Sequence, residues 1–131
     1  MIVVDSSALV AILRREPEAD EFLRVIAEAD GCLVSSVSLL ETSMVLAGRH
    51  GDQASWIELD ELLEAAEMEV VAQDVALTDV VRRSFLRYGK GRHPAGLNLG
   101  DCASYALARL RDLPLLFKGN DFPRTDLTAA V

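Results

Sequence analysis

Four carboxylates stand at positions from which they could act together: Asp5, Glu41, Asp101 and Asp121. Asp5 ends a short β-branched run, and Asp121 follows another apolar run by four residues. In open α/β sheets, ligands bind beyond the carboxyl ends of the strands, so both carboxylates should face the same edge of a sheet. Glu41 falls in the helix expected after a second strand, and Asp101 falls in the first turn of a later helix.

An edge that collects four carboxylates has a definite chemistry. The acids repel each other strongly unless a divalent cation offsets their charge. Ligands that offer only oxygen select hard ions such as Mg²⁺ or Mn²⁺. Such ions activate water and stabilise the charge that develops when a phosphodiester is attacked in line. The four acids therefore predict metal-assisted hydrolysis by water.

Each acid also has a purely structural explanation. Asp5 could cap the helix that follows it, although Ser6 and Ser7 could do so equally well. Asp101 could offset a helix dipole, an effect worth about 0.3–1 kcal/mol. Asp121 could be an ordinary turn residue. Taken one at a time, these three acids leave the choice open.

Glu41 separates the two interpretations best. Its structural explanation is a capping box, because Ser38-Leu39-Leu40-Glu41 matches the required pattern. Its helical neighbours Val37, Met44 and Val45 are apolar, which puts the carboxylate on or beside an apolar face, where an unpaired charge is costly. No Lys or Arg lies within one helical turn, so the cation must come from elsewhere in the fold or be a metal. The sequence favours the metal.

The elements that position these acids alternate between strand and helix. Apolar runs predict strands at 1–4, 32–34, 70–71 and 115–117, with a short fifth strand near 127–131. Helical periodicity predicts helices up to about residue 14, from about residue 17, and over 35–49, 53–67, 74–88 and 99–111. Strands that are apolar throughout indicate a parallel sheet covered on both faces. We expect one α/β domain, a three-layer α/β/α sandwich around a mainly parallel sheet of four or five strands.

Composition excludes several other classes of protein. Half of the 131 residues are hydrophobic, which suits a single core and excludes a disordered chain. No apolar run reaches the roughly 18 residues of a membrane span, and the N-terminus lacks the features of an export signal. Cys32 and Cys102 lie in apolar segments, which favours free buried thiols and a cytoplasmic location. His50 and His93 fall in or beside expected loops, so we expect surface histidines rather than catalysts.

Charge is distributed unevenly along the chain. The net charge of −8 argues against general coating of nucleic acid. Residues 1–74 hold 16 acids and 4 bases, whereas residues 75–131 hold 5 acids and 9 bases. One segment within the second part concentrates the positive charge without an intervening acid: Arg82, Arg83, Arg87, Lys90 and Arg92.

The aromatic residues Phe85 and Tyr88 are interleaved with these bases. A basic segment with aromatic residues suits RNA phosphates and a stacked base. It equally suits a solvated helix face whose aromatic residues turn inward. The sequence does not decide between the two.

The motifs around the four acids resemble those of the PIN-domain family, in particular its VapC-type toxins. The stretches that carry the resemblance are Val3-Val4-Asp5-Ser6-Ser7-Ala8, Ser38-Leu39-Leu40-Glu41, the segment from Leu97 to Ala108 around Asp101, and Leu115 to Phe122 with Thr125-Asp126 just after. They span the whole chain in the family's order, and the last two together are specific. The resemblance implies a single PIN domain over residues 1–131.

The same resemblance implies a set of roles and partners. The four acids would bind Mg²⁺ or Mn²⁺ and cleave RNA, with Asp121 the most variable of the four in the family. Ser7 would hold Asp5 or a metal-bound water, or would be a helix cap, while Asn120 and Asp126 would orient ligands. The partners would be a VapB-like antitoxin, an RNA substrate such as transfer RNA, and a second copy of the chain in a homodimer, a heterotetramer or a larger assembly.

Two rival functions remain. A PIN-like module could have lost catalysis and bind only RNA or a protein partner, although intact acids at all four positions argue against this. A phosphotransferase could use Asp5 as its nucleophile, but a dehalogenase-type enzyme needs a second Asp where this chain has Ser7.

Overall fold

Four parallel strands form the centre of the fold. The computed structural model describes residues 1–50 and 54–131, without the side chains of residues 49, 50, 54 and 55. The elements are β1 (Ile2–Val4), α1 (Ser6–Leu13), α2 (Ala19–Glu28), β2 (Cys32–Ser35), α3 (Ser36–His50), α4 (Ala54–Ala65), β3 (Glu69–Val71), α5 (Val75–Tyr88), α6 (Leu99–Arg111), β4 (Leu115–Leu116) and a 3₁₀ turn at Phe122–Arg124. The strand order is β3-β2-β1-β4.

The first strand lies in the middle of this sheet. In β1, Val3 pairs with Leu33 of β2 on one side and with Leu115 of β4 on the other, both in parallel register. Parallel pairing turns the carboxyl ends of the strands toward one edge, as the apolar runs predict. The fifth strand that the sequence suggests near 127–131 is reduced to a single bridge, in which Leu115 pairs with Ala129.

Alternate residues of β1 serve the two faces of the sheet. Val4 packs in one core with side chains of α1, α2, α3 and α4, whereas Val3 packs in the other with side chains of α5 and α6. The result is the predicted three-layer arrangement, with helices on both faces of the sheet. Both cysteines are free and buried, as their apolar surroundings suggest.

Helix α6 is fixed at both ends. Asn98 and Asp101 form a reciprocal capping box at its N-terminus. At the other end Asp112 has a left-handed backbone (φ 53°) and stops the helix before Pro114. The helix that carries Asp101 therefore begins at a defined residue.

The glycine-rich segment before α6 is held by its own hydrogen bonds. Lys90 N donates to Leu97 O, and Leu97 N donates to Tyr88 O. His93 Nδ1 accepts from Ala95 N, which gives this histidine a local structural role. The side chain of the other histidine, His50, lies outside the described part of the structure. None of the described helices is long and apolar enough to cross a membrane.

Candidate functional site

Asp5 lies at the carboxyl end of the central strand and is almost fully buried, with 1% of its surface exposed. Its Oδ2 accepts hydrogen bonds from Ser7 N at 3.0 Å and from Ser7 Oγ at 2.6 Å. Its Oδ1 accepts from Ser104 Oγ of α6. Asp5 caps α1, as its structural explanation requires, but a contact from a different helix also holds its carboxylate.

Ser7 links the carboxyl ends of β1 and β4, the two strands that Asp5 and Asp121 follow. Its hydroxyl donates to Asp5, as described above, and accepts from the backbone N of Lys118 at 3.0 Å. Lys118 follows β4, so Ser7 fixes the start of the loop that leads to Asp121. The hydroxyl predicted to hold Asp5 is in hydrogen-bond contact with it.

Glu41 reaches the same edge from α3. Its Oε1 accepts from Ser6 Oγ at 2.5 Å. Its carboxylate lies against Gly100, where an ideal Cβ would be 2.6 Å from Oε2 and 2.7 Å from Cδ. The glycine just before Asp101 therefore leaves the space that Glu41 occupies.

The capping-box interpretation of Glu41 is wrong. Helix α3 begins at Ser36, so Ser38 lies inside the helix rather than at its cap. The Ser38 hydroxyl instead contacts Ser104 Oγ at 3.0 Å. A capping side chain comes from Ser35, whose Oγ accepts from Val37 N.

Asp101 lies in the first turn of α6, and the pKa of its carboxyl is raised. Its Oδ2 accepts from Asn98 N at 3.1 Å in a capping box, a structural role different from the predicted helix-dipole effect, although its place in the first turn is compatible with that effect. Burial, opposed by the hydrogen bond from Asn98 and aided by the charges of Asp5, Asp121 and Glu41, raises the pKa of Asp101 to about 6. The structure thus brings Asp5, Glu41 and Asp121 close enough to Asp101 for their charges to act on its carboxyl.

Asp121 and Asn120 occupy the exposed loop after β4. Asp121 precedes the 3₁₀ turn and makes no capping hydrogen bond with its side chain. The turn explanation fits its position, although its carboxylate has no hydrogen-bond partner among the described residues. Asn120 adjoins Asp121 in the chain, at the same edge of the sheet.

Asp126 belongs to a different network from the one predicted. Its Oδ1 accepts from Tyr105 OH at 2.6 Å, and its Oδ2 lies 3.5 Å from Arg87 and 3.6 Å from Arg109. These partners hold the C-terminal segment against α5 and α6. The position of Asp126 gives no support to a role in orienting the four acids, because Tyr105 and two arginines take up its carboxylate.

Three serines contact the acids or each other, although the sequence does not predict them as residues of the site. Ser6, Ser38 and Ser104 donate to, or lie one hydrogen bond from, the acidic side chains. The one signal for Ser104 in the sequence is its position three residues after Asp101, and so on the same side of α6. For Ser6 the sequence suggests only a helix cap.

The oxygen atoms of the four acids suit a hard cation, although they are not yet close enough together to bind one. In the described residues, no three acid, histidine or cysteine side chains are close enough to hold one ion as they stand. Each carboxylate of Asp5, Glu41 and Asp101 is held by its own hydrogen bonds, and their charges repel. The oxygen-only donors and their shared edge fit Mg²⁺ or Mn²⁺.

The basic segment lies largely at the surface. Arg83 pairs with Asp79 at 2.9 Å, Arg87 pairs with Asp126, and Arg92 Nε donates to Leu86 O at 3.3 Å. A cavity of about 440 Å³ beside the N-terminus of α6 is lined by Val81, Arg82, Phe85, Leu86, Leu99 and Cys102. Lys90 is exposed in the loop.

The two aromatic residues of this segment differ in environment. Tyr88 is buried and packs edge-on against Tyr105 and His93, so its ring belongs to the core. Phe85 is 40% exposed in the cavity wall. The inward-facing interpretation is correct for Tyr88, and only Phe85 is placed where a base could stack.

Comparison with known proteins gives likenesses along nearly the whole chain. The PIN domain family matches residues 2–127. Ribonuclease VapC of Mycolicibacterium smegmatis is 47% identical over 128 residues, which cover 98% of this chain and 98% of that protein. Ribonuclease VapC30 of Mycobacterium tuberculosis is 47% identical over 127 residues, which cover 96% of this chain and 95% of that protein.

Two solved structures share the fold. VapC20 of Mycobacterium tuberculosis, a Sarcin-Ricin loop cleaving toxin, has a TM-score of 0.78 at 19% identity and covers 98% of this chain and 97% of its own. A chain of a toxin–antitoxin complex from Klebsiella pneumoniae has a TM-score of 0.68 at 18% identity and covers 93% of this chain and 90% of its own.

Proposed function

Because the chain belongs to the PIN-domain family, among its VapC-type ribonuclease toxins, we propose that it is a Mg²⁺- or Mn²⁺-dependent endoribonuclease. In this proposal it hydrolyses RNA phosphodiester bonds and is the toxin of a toxin–antitoxin pair acting in the cytoplasm. The observation that carries the proposal is the acidic cluster, defined as Asp5, Glu41, Asp101 and Asp121. Burial and then the charges of Asp5, Asp121 and Glu41 raise the pKa of Asp101, as expected of a site that a cation completes.

The acidic cluster would hold the ion through carboxylate oxygens alone. A divalent cation bound there would supply water of lowered pKa and positive charge to stabilise the charge that develops on a phosphodiester. The chain's own contribution is to fix the acids: Ser7 and Ser104 hold Asp5, and Ser6 holds Glu41. Burial of Asp5 beneath α6 keeps its carboxylate in one orientation.

The RNA would approach along the surface formed by the basic segment of residues 82–92. Arg82, Lys90 and Arg92 are exposed near the N-terminus of α6, and Phe85 offers an exposed ring. Single-stranded or looped RNA presents both phosphates and unstacked bases to such a surface. We propose a structured RNA as the substrate, with transfer RNA the first class to test.

A toxin of this kind requires a partner that keeps it inactive. The likeness to a chain from a toxin–antitoxin complex supports an antitoxin partner for this protein. We propose that it is a VapB-like protein, in an assembly that contains two copies of the toxin.

The test is cleavage of cellular RNA and of purified transfer RNA by the free protein, with Mg²⁺, with Mn²⁺ and with chelator. Asp5→Asn should abolish cleavage and retain the fold. Asp30→Asn is a matched control because Asp30 is an exposed aspartate before β2, at the opposite edge of the sheet. Cleavage that survives Asp5→Asn or chelator would contradict the proposal. RNA binding without any cleavage would instead support the catalytically silent PIN-like module.

A further inference from the structure

A buried hydroxyl on α6 is the only hydrogen-bond partner of Asp5 Oδ1 among the described residues. Ser104, Ser38 and Asp5 have 0%, 0% and 1% of their surfaces exposed, so water does not substitute for these contacts. Ser104 Oγ lies 2.5 Å from Asp5 Oδ1 and 3.0 Å from Ser38 Oγ. The three side chains form a line from α3 through α6 to the end of β1.

The direction of these hydrogen bonds follows from counting protons. A serine hydroxyl has one hydrogen, and an ionised carboxylate can only accept. Ser104 therefore donates its hydrogen to Asp5, so the contact with Ser38 requires Ser38 to donate to Ser104. Each bond orders the next one, because a donating hydroxyl becomes a better acceptor.

We infer that Ser104 is a positioning residue for Asp5, with Ser38 orienting the Ser104 hydroxyl. The inference rests on the proposed nuclease function, in which Asp5 is a metal ligand. Ser7 binds only Oδ2, so without Ser104 the other oxygen, Oδ1, would have no hydrogen bond to hold the plane of the carboxylate. Groups that orient a metal ligand in this way commonly change metal affinity or activity by about 10–100-fold when they are removed.

The test compares Ser104→Ala with Ser104→Cys, Ser38→Ala and a matched control. Cysteine keeps a side chain of at least the bulk of serine but donates only weakly, so recovery of activity in this variant would indicate packing rather than hydrogen bonding. Ser84→Ala is the control, because Ser84 is a buried helical serine of α5 that donates to Val80 O, outside the acidic cluster. Measurements are kcat and KM on a cleaved RNA, the affinity for Mn²⁺ without RNA, and the melting temperature.

Ser104→Ala should lower kcat and weaken Mn²⁺ binding by about tenfold each, with KM nearly unchanged. Ser38→Ala should have a smaller effect in the same direction, and Ser104→Cys should stay close to Ser104→Ala. Wild-type values for Ser104→Ala would overturn the inference. The proposed nuclease function would still be tested separately by Asp5→Asn. Full recovery in Ser104→Cys would also overturn it, because packing would then be the role. If the wild-type protein neither cleaves RNA nor binds Mn²⁺, the proposed function fails first and the inference fails with it.

Discussion

At the scale of single residues, ionisation of Asp101 within the acidic cluster lowers the stability of the folded protein. Burial, followed by the charges of its three neighbours, raises its pKa from 3.8 to about 6. The folded chain therefore binds this proton more tightly than the unfolded chain does. The resulting contribution to stability is complete below about pH 4 and is lost as the pH rises through about 6.

Asp101→Asn should therefore stabilise the metal-free protein at pH 7.5. Asparagine removes the repelled charge and keeps an oxygen that can accept from Asn98 N. We expect a rise in melting temperature of roughly 2–5 °C in the presence of chelator, shrinking toward pH 5. Circular dichroism at both pH values provides the measurement, with Asp30→Asn as the control. An equal shift at both pH values would show that charge repulsion is not the cause.

Glu41→Gln should separate the roles of folding and activity. The amide oxygen can still accept from Ser6 Oγ, so the fold and melting temperature should be retained. RNA cleavage should fall by at least about 100-fold, the upper end of what groups that only orient a metal ligand contribute. Glu58→Gln, an exposed glutamate of α4, is the control. Unfolding of Glu41→Gln with unchanged metal binding would make Glu41 a structural residue.

At the scale of elements, helix α6 organises the site through three positions in its first two turns. Gly100 makes room for Glu41, Asp101 joins the acidic cluster, and Ser104 holds Asp5. The capping box fixes where the helix begins, so all three positions are set together. A shift of the helix start by one residue would rotate all of them away from β1.

Gly100→Ala should reduce activity although alanine is the better helix former. Alanine is favoured by about 1 kcal/mol within a helix, but its Cβ would meet the Glu41 carboxylate and displace it. We expect cleavage to fall by at least about tenfold, as for loss of a group that orients a ligand. Gly48→Ala in α3 is the matched control, because no atom of the described part of the chain lies within 4 Å of a Cβ there. Wild-type activity for Gly100→Ala would show that Glu41 can move without consequence.

Patterns local in sequence predict the elements, whereas contacts between distant residues set the details of the site. Apolar β-branched runs identify the strands, and the parallel sheet that they imply places Asp5 and Asp121 at one edge. The bond from Ser104 to Asp5 joins residues 99 positions apart, and no local pattern encodes it. The partners of Asp126 escape prediction for the same reason, since they come from α5 and α6.

At the scale of the whole molecule, the net charge of −8 opposes RNA binding and the basic segment must offset it locally. The double substitution Arg82→Ala with Lys90→Ala should raise KM and leave kcat nearly unchanged. It should also reduce the slope of log affinity against log salt by about 0.7 for each phosphate that the variant no longer neutralises. Arg24→Ala is the control, because Arg24 pairs with Glu28 in α2 and lies outside the basic segment. An unchanged salt slope would place the RNA on another surface.

The position of β1 at the centre of the sheet also governs when the site can first exist during synthesis. Ser7, two residues after Asp5, contacts Lys118, which is 111 positions further along the chain. At translation rates of roughly 5–20 residues per second, roughly 5–20 s pass between the appearance of these two residues. During that interval β1, which Asp5 follows, has no β4 to pair with. Synthesis that stops before β4 therefore yields a chain with three of the four acids and no complete site.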